Sequence, residues 1–297
     1  MLWALFTILA ATAQTARNAM QRDLIRQLGT LGATQVRFLF GFPFGLLLLL
    51  LALVATGEAV PAFSAAYLAW TLAGGATQIA ATALMLKAMT ARSFVVTTAY
   101  TKTEPVQVAI FGLIVLGDML TPLLALAILI ATAGVMLLAW PAGGRDSGAE
   151  GSDRLPALLG LLAGAMFALS AISFRGAIHA LDSGSVWLRA STTLAVGLGL
   201  QTCGLLLYMM LRDRATLRAI VAAWRPSLVA GLMGAVASQF WFLGFALTTA
   251  ARVRTLALIE VLFAHAVSGR IFDEKVSRRE IVGLALVVLG VGLALNA

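Results

Sequence analysis

Residues 97–134 read TTAYTKTEPVQVAIFGLIVLGDMLTPLLALAILIATAG, and residues 253–290 read VRTLALIEVLFAHAVSGRIFDEKVSRREIVGLALVVLG. The two stretches align without a gap at an offset of 156 residues: Glu104 falls on Glu260, Asp118 on Glu274, Thr121 on Ser277 and Gly134 on Gly290. Each is an apolar run with a carboxylate near its middle, then a short acidic turn, then a second apolar run. An ionisable group in the middle of a lipid-length helix is expensive, and its default reading is functional. Its recurrence at matched places points to an internally duplicated membrane protein.

The rest of the chain agrees with a bilayer as solvent. Of 297 residues, 61% are hydrophobic and 11% charged, and the mean hydropathy is +0.96; a soluble domain cannot shield that much apolar surface. The net charge of +8 sits between apolar runs with no aromatic-basic recognition motif, so it reads as membrane topology and no nucleic-acid partner is expected. The single cysteine, Cys203, excludes an intramolecular disulfide and reads as a small buried hydrophobe. The N-terminus begins directly in an apolar segment without a basic region before it, so no cleavable signal is expected.

A spanning helix needs about 20 mostly apolar residues. That rule predicts ten spans, near 2–20, 31–56, 63–86, 93–117, 121–140, 156–175, 184–211, 225–248, 253–272 and 279–296. The Gly-, Ser- and charge-rich segment PAGGRDSGAEGSDR, 141–154, reads as a linker. The expected organisation is a first repeat over 1–140, a linker over 141–155 and a second repeat over 156–297. Five spans per half put the second half into the membrane the other way up, an inverted repeat. Thr121-Pro122 and Ser277-Arg278 read as N-cap and first helical position of spans five and ten, with Ser277 and Glu280 forming a capping box, which gives the Asp118 and Glu274 turns a structural role. Most Lys and Arg, among them Arg22, Arg26, Arg212, Arg214, Arg218 and Arg225, follow odd-numbered spans. The positive-inside rule then places those loops in the cytoplasm and both termini outside.

Helical phase sorts the buried polar residues. In span four, Tyr100, Glu104 and Gln107 share one face, whereas Lys102 points nearly away from Glu104. In span nine, Arg254, His265 and Ser268 form a stripe separate from Glu260. Each half is therefore expected to carry a carboxylate face and a distinct cationic face. Arg17, Arg37, Gln78, Arg175, Arg189, Gln239 and Trp241 are further substrate-binding candidates beside Tyr100, Lys102, Glu104 and Arg254. Glu104, Glu260 and His265 are the candidates to carry a coupling proton. Glu104 and Glu260 also admit a plainer role as polar glue between helices. The glycine spacings Gly41/Gly45 and Gly160/Gly164 suit close helix contact. No catalytic residue set, metal site or cofactor motif is present in the sequence: there is no HExxH, no phosphate-cradling loop and no GxSxG.

The paired pattern, TEPVQVAIFGLIVLGD in one half and IEVLFAHAVSGRIFDEKVSRREIVGLALVVLGVGL in the other, resembles the EamA-like transporters of the drug/metabolite transporter superfamily. Glu104-Pro105-Val106, Gly117-Asp118 and the Gly283-to-Gly290 helix stand where that family has its acid-Pro-Val stretch, its turn and its closing helix. Val261, where proline is common, departs from the pattern. The resemblance implies ten helices around a central cavity, alternating access, and movement of a small metabolite, with both termini in the cytoplasm, opposite to the charge bias. The expectation is an all-α polytopic protein of the bacterial inner membrane, monomeric or homodimeric. It would be a secondary carrier, more exporter than importer, for a small polar metabolite such as an amino acid or organic acid. A lipid or lipid-linked-sugar flippase on the same fold and a non-transporting scaffold are the rival readings.

Overall fold

The computed structural model describes residues 1–91, 100–139, 154–262 and 278–297. Among them every regular element is helical: α1 Leu2–Leu39, α2 Phe42–Thr56, α3 Ala65–Ala91, α4 Glu104–Phe111 continued by a π-helical turn Gly112–Leu116, α5 Pro122–Ala139, α6 Arg154–His179, α7 Val186–Arg212, α8 Arg214–Ala222, α9 Trp224–Leu247, α10 Ala250–Leu256 and α11 Arg278–Asn296. Five helices in the described residues are long and apolar enough to cross a membrane, α1 and α2 counting together. The outer faces of these helices and of the shorter α5 expose Leu50, Leu51, Leu129 and Leu207 by more than half of each side chain. In water such a surface would aggregate; against lipid tails it is at rest. The chain is a polytopic integral membrane protein.

The expected first span ends too early. The helix runs through Met20 to Leu28, because Gln21, Leu24 and Leu28 lie on one buried face and continue the apolar stripe. Only Gly29 breaks it, at φ 66° and ψ 178°, a region that essentially glycine alone occupies. Gln21 Nε2 then donates to the Ala33 carbonyl at 2.8 Å and ties the two limbs of α1 together. The segment 212–225, expected as a loop, contains α8. Asp213 caps this short amphipathic helix by accepting from the Thr216 N–H at 3.1 Å. Cys203 is exposed on α7, not buried. A small apolar thiol facing lipid costs as little as one facing a core, so hydrophobicity alone could not choose between them.

The helices pack in a definite set of pairs: α3 on α6, α1 on α9, α5 on α11, α2 on α7, α4 on α6, and α10 on both α4 and α1. Small residues set several of these contacts. A Cβ on Gly176 would come within 2.8 Å of the Trp70 ring, and one on Gly74 within 3.1 Å of Phe174, so α3 and α6 interlock by glycine against aromatic. Gly45 and Gly164 of the expected small-residue spacings also stand at close contacts, Gly45 against Leu198 and Gly164 against the Thr101 carbonyl. Thr121 caps α5 as expected, accepting from the Leu124 N–H at 3.1 Å. Ser277 and Glu274 lie outside the described residues.

Candidate functional site

Both helices that carry the repeated glutamates are interrupted just before them. In the first half the chain leaves the helical pattern at Lys102 and Thr103, and α4 restarts at Glu104 with Pro105 behind it. Proline cannot donate to the preceding turn, so the break is written in the sequence. In the second half the interruption falls at Ala257 and Leu258, before Glu260, although no proline follows. Bonds from Thr103 N–H to the Tyr100 carbonyl at 3.3 Å, and from Leu258 N–H to the Thr255 carbonyl at 3.1 Å, close these turns three residues back. Tightened turns of this kind re-aim the side chains around them.

That re-aiming overturns the expectation of separate acidic and cationic faces, which assumed continuous helices. Lys102 and Glu104 line one cavity, together with Gln14, Arg17, Asn18, Met85, Met89, Thr101, Phe167 and Arg254. Gln14, Arg17 and Asn18 come from one face of α1, at three- and four-residue spacing. Met85 and Met89 come from the end of α3, Phe167 from α6 and Arg254 from α10.

The charges pair across the halves. Arg254 Nε stands 3.0 Å from Glu104 Oε1, and Lys102 Nζ is paired with Glu260 Oε1. Each repeated glutamate is thus held by a cation of the other half. Glu260 also accepts from Thr15 Oγ1 at 3.4 Å. Arg254 lies with its guanidinium carbon 4.3 Å from the Trp241 ring centroid and 5.3 Å from that of Phe245, and the Trp241 Nε1–H donates to Gln14 Oε1 at 3.1 Å. Trp241 is therefore the shelf on which Arg254 rests, a cation–π contact strengthened by burial.

Two more cations lie beside these pairs without a carboxylate among the described residues. Arg17 is 1% exposed; its Nε and Nη2 donate to Asn18 Oδ1 at 3.2 and 2.6 Å, while Nη1 has no partner. Arg37 is 2% exposed; its Nη1 donates to Thr82 Oγ1 at 2.9 Å, and its Nε has none. The two stems flank Gly234 of α9, where a Cβ would stand 3.3 Å from Arg17 Cδ and 3.4 Å from Arg37 Cγ.

The other expected residues fall elsewhere. Arg175 donates through Nε to the Thr248 carbonyl at 3.1 Å and pairs through Nη1 with Asp118 Oδ1 at 3.0 Å. Asp118 therefore bridges α4's end to α6, while Thr121 does the capping. Arg189 is not among the residues lining the cavity. Gln78 accepts from Gln201 Nε2 at 2.9 Å, and Gln239 donates to Ser191 Oγ at 2.9 Å; both join helices. Tyr100 is half-buried at the start of the broken turn and is not among the residues lining the cavity. His265 lies outside the described residues. Sequence reasoning missed Met85, Met89 and Phe167, whose apolar character is no different from that of the many residues that merely pack. Among the described residues no cluster of three or more His, Cys, Asp or Glu side chains is placed to hold a metal ion.

Comparison with known proteins agrees with this architecture. The profile of the EamA-like transporter family matches residues 154–296. No curated protein matches. A solved crystal structure, described only as that of a protein, superposes with a TM-score of 0.70 at 15% identity, over 99% of this chain and 95% of that one; at that identity the likeness is one of fold. Over its second half, residues 154–296, the chain is thus similar to the EamA-like transporters.

Proposed function

We propose that the protein is a secondary carrier, working as an exporter, for a small metabolite bearing a carboxylate or similar anionic group. The observation that carries this reading is the cavity between the two halves, where Arg17, Lys102 and Arg254 meet the single carboxylate Glu104 on the lining. A cation-rich, bilayer-enclosed cavity recognises anions by charge-assisted hydrogen bonds, and the apolar side given by Met85, Met89 and Phe167 suits a substrate with an apolar portion.

In this reading the chain is two repeats, 1–140 and 156–297, set as an inverted five-plus-five bundle of ten spans in a bacterial inner membrane. The packing supports it: exchanging α1 with α6, α3 with α9, α4 with α10, α5 with α11 and α2 with α7 turns α3 on α6 into α9 on α1, and α4 on α6 into α10 on α1, both observed. Contacts α5 on α11, α2 on α7 and α4 on α10 return to themselves. Alternating access then rocks one repeat against the other around the cross-half pairs. A proton on Glu104 or Glu260 would free Arg254 or Lys102, coupling protonation to that motion. The test is counterflow of radiolabelled amino acids and organic acids in proteoliposomes holding the purified protein. Anionic substrates should exchange, and an imposed pH gradient should drive wild type but not Glu104→Gln. Transport indifferent to pH and intact in Glu104→Gln would eliminate the proton role, and absence of exchange by any member would eliminate the carrier reading.

A further inference from the structure

The four cations at and behind the cavity are unequally matched. Lys102 and Glu260, and Arg254 and Glu104, form two neutral pairs. Arg17 and Arg37 have no carboxylate within ion-pair distance among the described residues, and each keeps a guanidinium nitrogen without any acceptor. They also stand side by side across Gly234 and repel each other. An arginine does not escape this by losing its proton. Two like charges held in a bilayer interior without counter-ions are a standing cost, and a chain retains them where something else brings the missing negative charge.

We infer that the substrate is a dianion, whose two negative charges are taken by Arg17 and Arg37 while its apolar part lies against Met85, Met89 and Phe167. This rests on the carrier reading and narrows it. A single carboxylate would leave one guanidinium uncompensated. A phosphate monoester, or two carboxylates on neighbouring carbons, offers acceptors enough for the free nitrogens of both. Arg17 reaches the cavity directly; Arg37 stands behind it on the Gly234 side, so the dianion draws the two guanidiniums onto one group. The asymmetry also explains why the glutamates are not the anion's competitors: each is already occupied by a cation of the opposite half.

The experiment is thermal unfolding of the full-length protein in detergent, with phenyl phosphate and succinate as dianionic probes, and benzoate, propionate, chloride and zwitterionic phenylalanine as comparators. The dianions should raise the midpoint and bind at least ten-fold more tightly than the monoanions. Arg17→Gln and Arg37→Gln should each abolish that ten-fold preference. Both variants should also unfold at a higher temperature than ligand-free wild type, because each removes an unmatched buried charge. A role confined to packing would lower the midpoint instead and overturn the inference. So would equal stabilisation by benzoate or by chloride. Stabilisation and counterflow by phenylalanine alone would overturn the dianion and leave the carrier standing. No shift and no counterflow with any probe would overturn both.

Discussion

At the residue scale the central fact is that each repeated glutamate is neutralised from the other half of the chain. Glu260 has Lys102 and, more weakly, Thr15; remove the lysine and, among the described residues, the carboxylate keeps one long hydroxyl contact. Breaking a buried pair from one side costs ~3–5 kcal/mol, whereas removing both partners is close to neutral. Lys102→Met should therefore destabilise the protein by about that amount, and Lys102→Met with Glu260→Gln should recover most of it. Chemical unfolding of the two singles and the double in mixed micelles reads the coupling directly. The sequence announced both residues, since a lysine and a glutamate within apolar runs are conspicuous wherever they fall. It did not announce the pairing. The phase of an unbroken helix turns Lys102 away from Glu104, and no local pattern can say which cation of a distant helix a carboxylate will meet. Arg37 shows the same limit: its position inside the second span was visible, but its neighbour Arg17 became visible only with α9 and Gly234 between them.

At the scale of elements, the repeat's closing helices show how much a matched glycine can say. Gly134 of α5 and Gly290 of α11 occupy equivalent places in the two copies, and they belong to the same interface. A Cβ on Gly290 would stand 2.6 Å from the Ala131 backbone nitrogen and 2.7 Å from the Ala127 carbonyl oxygen; one on Gly134 would stand 2.7 Å from the Gly283 carbonyl oxygen. These are backbone atoms, so no rotamer change relieves the clash, and the helices must part. Gly292, two residues along α11, has nothing within 4 Å of such a Cβ. Gly290→Val should destabilise by ~1–3 kcal/mol, while Gly292→Ala should be neutral or stabilising by up to ~1 kcal/mol from helix propensity. Thermal unfolding of the two variants separates contact from composition; equal loss in both would mean that glycine content, not the interface, matters. Element existence was legible because apolar runs of spanning length are strong signals. The interruptions were not equally so: Pro105 marks the first, but the second has only Ala257 and Leu258, good helix formers forced out of the pattern by their surroundings.

At the scale of the whole molecule the two ends differ in charge, and that difference predicts an orientation. The α1 turn and α8 lie together: a Cβ on Gly32 would touch Thr216 Cγ2 at 2.8 Å. Arg214 and Arg218 of α8 therefore gather with Arg22 and Arg26 at one end. The loops that carry Glu58 and Asp182 form the other, where Glu58 Oε2 accepts from the Ser185 N–H at 2.8 Å. That backbone bond, with the Ser185 hydroxyl, holds the Glu58 carboxyl below its ordinary value. Basic loops stay in the cytoplasm because moving them across the membrane is opposed during insertion; the α8 end should therefore face inward and the Glu58 end outward, with both termini outside. In a Cys203→Ser background, Ser183→Cys should react with a membrane-impermeant maleimide in intact cells. Ala215→Cys, exposed at the arginine end, should react only after permeabilisation. The reverse labelling would put the termini inside, as the family resemblance implies, and would mean that the arginines of α8 are held at the outer surface against the charge rule.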